Sequence, residues 1–286
     1  MIPDSVKHRI KEQNGLAITE SRTVHGGSIN NATMVLANNQ KYFLKWNHHA
    51  PDQFFEKEAE GLQALRDANH SIPIPHVITT GRAETGCAFL LMEFVETGSS
   101  GDSYRFGAEL ANLHKNHSEK FGFHSDNYIG SLHQSNTRHI SWADFYFTER
   151  LQPQLKMAID TGKMDKSTYK QLDKLASHLD QLLPPVKPSL IHGDLWSGNY
   201  LFNSVGQAVL IDPAVYYGHP EMDLAFSTMF GGFSKEFYSG YESGSPVENG
   251  FKQRIPIYNL YPLLVHVNLF GGHHIHQATT ILNKFR

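Results

Sequence analysis

The 286-residue chain has a single cysteine, Cys87, so no intrachain disulfide can form. That fits a reducing compartment, and a cytoplasmic protein is expected. No apolar run approaches the ~20 residues needed to span a bilayer. The N-terminus, MIPDSVKHRIKEQNG, lacks the basic-then-apolar order of a secretion signal. No membrane association is therefore expected. Net charge is only −3, so the basic surplus of a nucleic-acid binder is missing and no such partner is expected. Internal repeats and low-complexity tracts are absent. The 18 histidines are scattered, with groups at His48-His49 and His273-His274-x-His276. They lack acidic or cysteine partners at close spacing, so surface or pocket histidines are expected rather than a metal centre.

What is present is enough for a substantial core. Hydrophobic residues make up 40% of the chain. At this length, roughly three quarters of the unfolded surface is buried on folding. One large domain or two small lobes are both possible.

The first third reads as strand-rich. A helix near the N-terminus ends at Asn14-Gly15. Three short strands follow in ITESRTVHGGSINNATMVLANNQKYFLKWN, separated by Gly26-Gly27 and Asn38-Asn39. In the third strand, Tyr42, Leu44 and Trp46 share one face, with Lys41, Phe43 and Lys45 on the other. Phe55, Ala59, Leu62 and Leu65 then recur at helical spacing. HVITTGR and the apolar GCAFLLMEFVE read as a strand pair, and ETGSSGD as a connector.

The remainder reads as mostly helical. One helix carries Phe106, Leu110, Leu113 and His114 on one stripe. A second is capped by Ser141-x-x-Asp144 and kinked or divided at Pro153. KSTYKQLDKLASHLDQLL predicts a third helix, and from Pro220 onward helices broken by Gly and Pro are expected. This order predicts an α+β fold of two lobes. A small antiparallel-sheet lobe spans residues 1–97, and a mostly helical lobe spans 98–286, with a cleft between them.

The chemistry concentrates in SLIHGDLWSGNYLF. Asp194 and Asn199 lie five residues apart on a loop between apolar strands. A second apolar strand ends in Asp212, and a hairpin pairing would bring all three together. Two carboxylates and an amide oxygen suit Mg²⁺, which takes one or two protein oxygens plus phosphates. A carboxylate there can also receive a hydroxyl proton. This is the arrangement of a protein-kinase-like site. Such a site needs phosphate-binding parts upstream. Lys45 lies on the third strand, and Glu58 on the next helix shares the inward side with Phe55 and Leu62. HGGSINNA sits where a loop would cover the phosphates, though it is too short and poor in glycine to qualify alone.

These motifs resemble the fructosamine-kinase (ketosamine-3-kinase) family, relatives of the aminoglycoside and choline kinases. The matching stretches are GGSIN, FEKEAEGL, LIHGDLWSGN, LIDPAVYYGHPEMDLA and HVNLFGG. The resemblance runs from about Val24 to the C-terminus, and Trp196-Ser197-Gly198 is its family-specific part. It implies an ATP-dependent kinase acting on a sugar hydroxyl of ketosamines, free or on protein lysines, and hence a deglycation role. Asp194 would orient or deprotonate that hydroxyl, and Asn199 and Asp212 would hold Mg²⁺. Lys45 would contact the α- and β-phosphates, with Glu58 fixing it. Gly27, Ser28 and Asn30 would belong to the ATP loop, and the backbone of Glu93 and Val95 would bind adenine. Trp196 and His266 would meet the substrate. His192, Glu221 and Asp223 would support the loops. Where some relatives carry cysteine, this loop has Ser28, so redox control through it is not expected.

Blander readings stand beside these. Lys45 could be a solvated strand charge, and Asp194, Asn199 and Asp212 turn formers. Trp196 and His266 could be core residues. Other functional readings are a kinase for an aminoglycoside or choline-like substrate, a nucleotide-binding pseudokinase, or a histidine-rich metal protein. From Gly231 to Arg286 there are three carboxylates, Glu236, Glu242 and Glu248, against five Lys and Arg. That argues against a polycationic substrate. The joint presence of Lys45, Asp194, Asn199 and Asp212 argues against a pseudokinase.

Overall fold

Asn38 and Asn39 both take positive φ, 49° and 61°. That is the conformation of a tight turn whose twist matches the strands it joins. It closes the hairpin of β2 (Asn31–Ala37) and β3 (Gln40–Asn47). With β1 (Ile18–Thr23), β4 (Val77–Arg82) and β5 (Ala88–Glu93), these form an antiparallel sheet in the order β1-β2-β3-β5-β4. The computed structural model describes residues 1–24 and 29–285.

The predicted alternation of β3 is observed. Tyr42, Leu44 and Trp46 face a small core with Val6 and Ile10 of α1 (Asp4–Asn14). Gly15 ends α1 in the left-handed conformation, as its position after Asn14 implied. On the other side of the sheet lies α2 (Phe54–Asp67), burying Phe55, Leu62 and Leu65. These three belong to a second, larger core that runs on without a break into the helical half.

That half begins with α3 (Ser103–Leu113), whose Phe106, Leu110 and Leu113 are buried as their spacing implied. A short hairpin follows, β6 (Asn127–Ile129) with β7 (Leu132–Gln134). The Ser141 hydroxyl then accepts from Asp144 N and starts α4 (Trp142–Phe145). A π-helical stretch, Tyr146–Leu151, joins α4 to α5 (Gln152–Asp160). Pro153 sits in the first turn of α5, but the expected division is not seen: the backbone stays helical from residue 142 to residue 160, changing only from π to α type before the proline.

The predicted third helix is in fact two, α6 (Thr168–Ala176) and α7 (Leu179–Leu182). At the break, the Ser177 hydroxyl donates to Lys174 O at 2.8 Å, and His178 Nδ1 lies 2.8 Å from the same oxygen. Side chains that bond the backbone locally compete with helix propagation.

Four short strands carry the loops of interest. β8 (Ser189–Ile191) pairs with β11 (Tyr216–Gly218), and β9 (Tyr200–Phe202) pairs with β10 (Ala208–Leu210). The hairpin is thus β9–β10, nested between the strands of the other pair. Then come α8 (Glu221–Phe226), α9 (Lys235–Gly244), α10 (Phe251–Phe270) and α11 (His273–Leu282).

Prolines do not break α10, contrary to expectation: Pro256 and Pro262 lie inside it. Pro262 cannot donate to Tyr258 O, one turn back. The Tyr146 hydroxyl donates to that carbonyl instead, at 3.0 Å, and to Ile257 O at 2.7 Å. Among the described residues, no helix is long and apolar enough to cross a membrane, and no cluster of metal-ligating side chains occurs.

Candidate active site

β3 presents Lys45 to the face of the sheet opposite α1, and α2 brings Glu58 to it. Lys45 Nζ lies 2.7 Å from Glu58 Oε1, and both side chains are largely buried. The same ammonium also contacts the Asp212 carboxylate. Burial alone would lower the Lys45 pKa, but the Asp212 and Glu58 charges override it and raise it. Burial raises the Glu58 pKa, against the pull of Lys45. Lys45 is therefore no solvated surface charge, and the bland reading of it fails.

The loop after β8 is held from behind. Asp223 of α8 accepts hydrogen bonds from His192 N at 2.8 Å and Gly193 N at 2.9 Å. His114 Nε2 lies 3.1 Å from the same carboxylate. Gly193 has φ 81°, and an added Cβ would lie 2.1 Å from Ala214 O, so only glycine fits. His192 is fully buried. Its Nε2 lies 2.9 Å from Ile211 O, and its Nδ1 is 3.3 Å from Asp194 N. Burial lowers its pKa. The ring therefore works as a neutral strut between the Asp194 loop and the Asp212 segment.

Asp194 is itself fixed by Asn199. Asn199 Nδ2 donates to Asp194 Oδ2 and to Asp194 O, both at 2.8 Å. With its nitrogen so committed, Asn199 has its amide oxygen left for other partners. Burial pushes the Asp194 carboxyl up to about 7; the Asn199 hydrogen bond opposes this, and the Asp212 and Asp223 charges add to it. Asp212 reaches the same place from the turn after β10. Ile211 N donates to Asn199 O at 3.1 Å, so the two loops share a backbone hydrogen bond.

All these groups open on one cleft of about 830 Å³ between the sheet and the helical half. Lys45, Glu58, Asp194, Asn199 and Asp212 line it together. Glu93 and Val95 line it at the end of β5, and Asn30 lies near β2 with its Oδ1 accepting from Asn47 Nδ2 at 3.0 Å. Trp196 and His266 line the same cleft, as do Phe226, Pro262 and Phe270. Phe230 bridges the two predicted substrate residues, its ring 5.6 Å from Trp196 and 5.0 Å from His266.

Two sets of residues fall elsewhere. Glu221 does not brace the Asp194 loop. Its carboxylate is held bidentately by Arg254, at 2.7 and 2.5 Å, which ties α8 to α10 instead. Gly27 and Ser28 lie outside the described residues.

The chain has relatives among known proteins. The family model for fructosamine kinase matches residues 2–286. The chain belongs to the fructosamine kinase family. A probable ketoamine kinase of Enterococcus faecium is 39% identical over 264 residues, covering 92% of this chain and 94% of that protein. A chloroplastic protein-ribulosamine 3-kinase of Oryza sativa subsp. japonica is 37% identical, covering 96% of this chain and 81% of that protein. A crystal structure assigned to fructosamine-3-kinase from Haemophilus somnus superposes with a TM-score of 0.88 at 28% identity, covering 99% and 97% of the two chains. A ternary complex of the aminoglycoside phosphotransferase APH(4)-Ia with AMP-PNP and hygromycin B superposes at 0.63 with 18% identity. This last likeness establishes the two-lobed, kinase-like fold.

The β6–β7 hairpin, which motif reading passes over, is also part of the site. Asn127, Tyr128, Ile129 and Gly130 line the cleft. The segment leading into the hairpin reaches α2, where Ser125 Oγ donates to Glu60 Oε2 at 3.0 Å, and Tyr128 Oη in β6 donates to Asp52 O just before α2 at 2.9 Å. A signal was present: Gly130-Ser131 between two three-residue runs is a two-residue turn with glycine first.

Proposed function

We propose that this protein transfers the γ-phosphoryl group of ATP to a sugar hydroxyl of a ketosamine. The substrate would be a fructosamine or ribulosamine, free or on a protein lysine. The observation that carries the reading is the pairing of two features across one cleft: the Lys45–Glu58 pair on one wall and the Asp194–Asn199–Asp212 set on the other. The names of the relatives, ketoamine kinase and ribulosamine 3-kinase, support the substrate class.

In this reading Lys45 neutralises the α- and β-phosphates and Glu58 keeps it aimed. The adenine rests against the backbone at Glu93 and Val95. The donor set of Asn199 and Asp212, one amide oxygen and one carboxylate, fits Mg²⁺, a hard cation that needs few protein ligands beside phosphate oxygens. When bound, Mg²⁺ supplies charge neutralisation on the transferring phosphates. Asp194 accepts the hydroxyl proton as the sugar oxygen bonds to the γ-phosphorus, while the bond from that phosphorus to the bridging oxygen breaks and ADP leaves. A carboxyl near pH 7 is suited to this task, since a base works best when its pKa lies close to the working pH.

Among the described residues the carboxylates lining the cleft are Glu58, Glu93, Asp194 and Asp212, and three of these are already assigned to Lys45, the hydroxyl and the metal, while Trp196, Phe226, Pro262, Val265, His266 and Phe270 add none. This supports a substrate with one amine over a polycationic aminoglycoside. Residues 1–97 would then serve as the nucleotide lobe and 98–286 as the catalytic and substrate lobe. Phosphorylation at the third sugar carbon destabilises the adduct, so the role is deglycation, in the cytoplasm where ATP is at hand.

A coupled assay for ADP release tests this with fructoselysine, ribuloselysine, an aminoglycoside and choline. Turnover of the first two, lost in Asp194→Asn, is the expected outcome. Absence of turnover with all four would overturn the reading.

A further inference from the structure

Asp212 has φ 55°, a left-handed conformation that a non-glycine residue adopts only at a cost. Strain of this kind persists where the surroundings over-determine it. Part of the restraint comes from the Asp194 loop: Ile211 N donates to Asn199 O, and Ala214 N donates to His192 O at 2.9 Å. The rest comes from a different direction. Gln134 Nε2 donates to Ala214 O at 3.2 Å, and Asn127 Nδ2 donates to Val215 O at 2.9 Å. These two side chains stand opposite each other at the open end of the β6–β7 hairpin.

Behind them lies a chain of buried polar groups. Gln134 Nε2 also donates to Asn127 Oδ1 at 2.7 Å, and the Tyr261 hydroxyl donates to Gln134 Oε1 at 2.6 Å. Asn136 Nδ2 donates to Asn127 Oδ1 at 3.0 Å, and Arg150 Nη2 donates to Asn136 Oδ1 at 2.7 Å. The Arg150 guanidinium is completely buried. Among the described residues its hydrogen-bond partners are the carbonyls of Ser135 and Glu149 and the Asn136 amide, with no carboxylate. It packs against the rings of Tyr216 and Phe145, 4.0 and 4.6 Å from their centres. A buried cation without a counter-charge is costly, and an apolar side chain would serve packing better. What the charge does is polarise the amides in front of it, strengthening each bond along the chain. That chain ends on the two carbonyls that follow Asp212.

We infer that Asn127 and Gln134 are positioning residues for Asp212, with Arg150 polarising them from behind. They hold residues 213–215 so that the Asp212 carboxylate stays in the cleft beside Lys45. The same unit ties to α2 and its approach, Ser125 ahead of the hairpin bonding Glu60 and Tyr128 bonding Asp52 O, so it sets Glu58 and Asp212 against Lys45 together. This rests on the proposed role of Asp212 at the nucleotide's metal.

The test is nucleotide binding by calorimetry, with ADP alone and with ADP plus Mg²⁺. Four proteins are compared: the unaltered chain, Asp212→Asn, Gln134→Met and Tyr261→Phe. Gln134→Met keeps the side-chain length and removes both the donor and the acceptor. It is expected to weaken MgADP about tenfold, the equivalent of one lost hydrogen bond of about 1.4 kcal/mol, while metal-free ADP binds as before. Asp212→Asn should show the same pattern more strongly. If Asp212→Asn retains the full gain from Mg²⁺, the role of Asp212 fails and the inference falls with it. If Asp212→Asn loses the gain but a folded Gln134→Met keeps it, the positioning inference alone is overturned. Should Gln134→Met not fold, Tyr261→Phe decides. It removes only the hydroxyl behind Gln134, and an unchanged Mg²⁺ gain there would overturn the inference.

Discussion

Replacing Asp194 by Asn should make the protein far less active and more stable at once. The carboxyl is raised from 3.8 to about 7 by burial, opposed by the Asn199 hydrogen bond and helped by Asp212 and Asp223. The sign follows from proton linkage. The native state holds this proton up to about pH 7, whereas the unfolded chain gives it up near pH 4. Between these limits the native state binds more protons, so stability falls as pH rises. Ionising the group in place costs at most ~4 kcal/mol, a little over three pKa units at 1.36 kcal/mol each. Solvent reaching the open cleft reduces this, and a gain of about 1–4 kcal/mol above pH 7 is expected for Asp194→Asn. The new amide oxygen can still accept from Asn199 Nδ2, so no hydrogen bond need be lost. Urea titrations across about pH 4 to pH 9 measure the difference between variant and parent. The gain should be near zero at the acid end, grow through the middle and level off above pH 7. Activity should fall by about 10²–10⁴-fold, the usual contribution of a general base. A gain that does not vary with pH, or a variant less stable than the parent at pH 8, would refute the reasoning.

Three further outcomes follow from the geometry. Lys45→Met leaves the Glu58 carboxylate buried without its partner. Stability should drop by about 3–5 kcal/mol at pH 8 and by less in acid, where protonation of the raised Glu58 carboxyl removes the buried charge; denaturant titrations at alkaline and acid pH check this. Asp223→Asn replaces one acceptor of the His192 and Gly193 amides by a donor. A loss of about 2–3 kcal/mol is expected in thermal or urea unfolding, with kcat lowered and KM for ATP held. Trp196→Ala should raise KM for a ketosamine about tenfold and leave KM for ATP unchanged, since the ring packs against Phe230 and, through it, meets His266 rather than the Lys45–Glu58 pair; steady-state kinetics separate the two.

The sequence carried the site well because its parts are local. Asp194, Asn199 and Asp212 lie within nineteen residues, and the strands around them are short. The Asn38-Asn39 turn and the alternation of β3 fixed which way Lys45 points. What was not legible depends on distant partners. The β9–β10 hairpin was foreseen, but the pairing of β8 with β11 around it brackets the motif from outside. The continuity of α10 through Pro262 depends on a hydroxyl 112 residues away in sequence. Glu221 read as a loop brace because it lies close to Asp223, yet two residues of helical rotation, about 200°, change the face, and Arg254 takes it. The β6–β7 hairpin left only a glycine turn as its trace, and its amides bond to carbonyls that any residue could supply.

The contact between Lys45 and Asp212 has a consequence for the order of events. The ammonium proposed to meet phosphate is held by the carboxylate proposed to meet metal. A free cation arriving first must compete with a positive charge already seated and displace it into a buried space. Nucleotide phosphates remove the obstacle by giving Lys45 a new anionic partner and freeing the Asp212 carboxylate. The pair acts as an internal plug, and the metal should enter with the nucleotide, as a complex, rather than ahead of it.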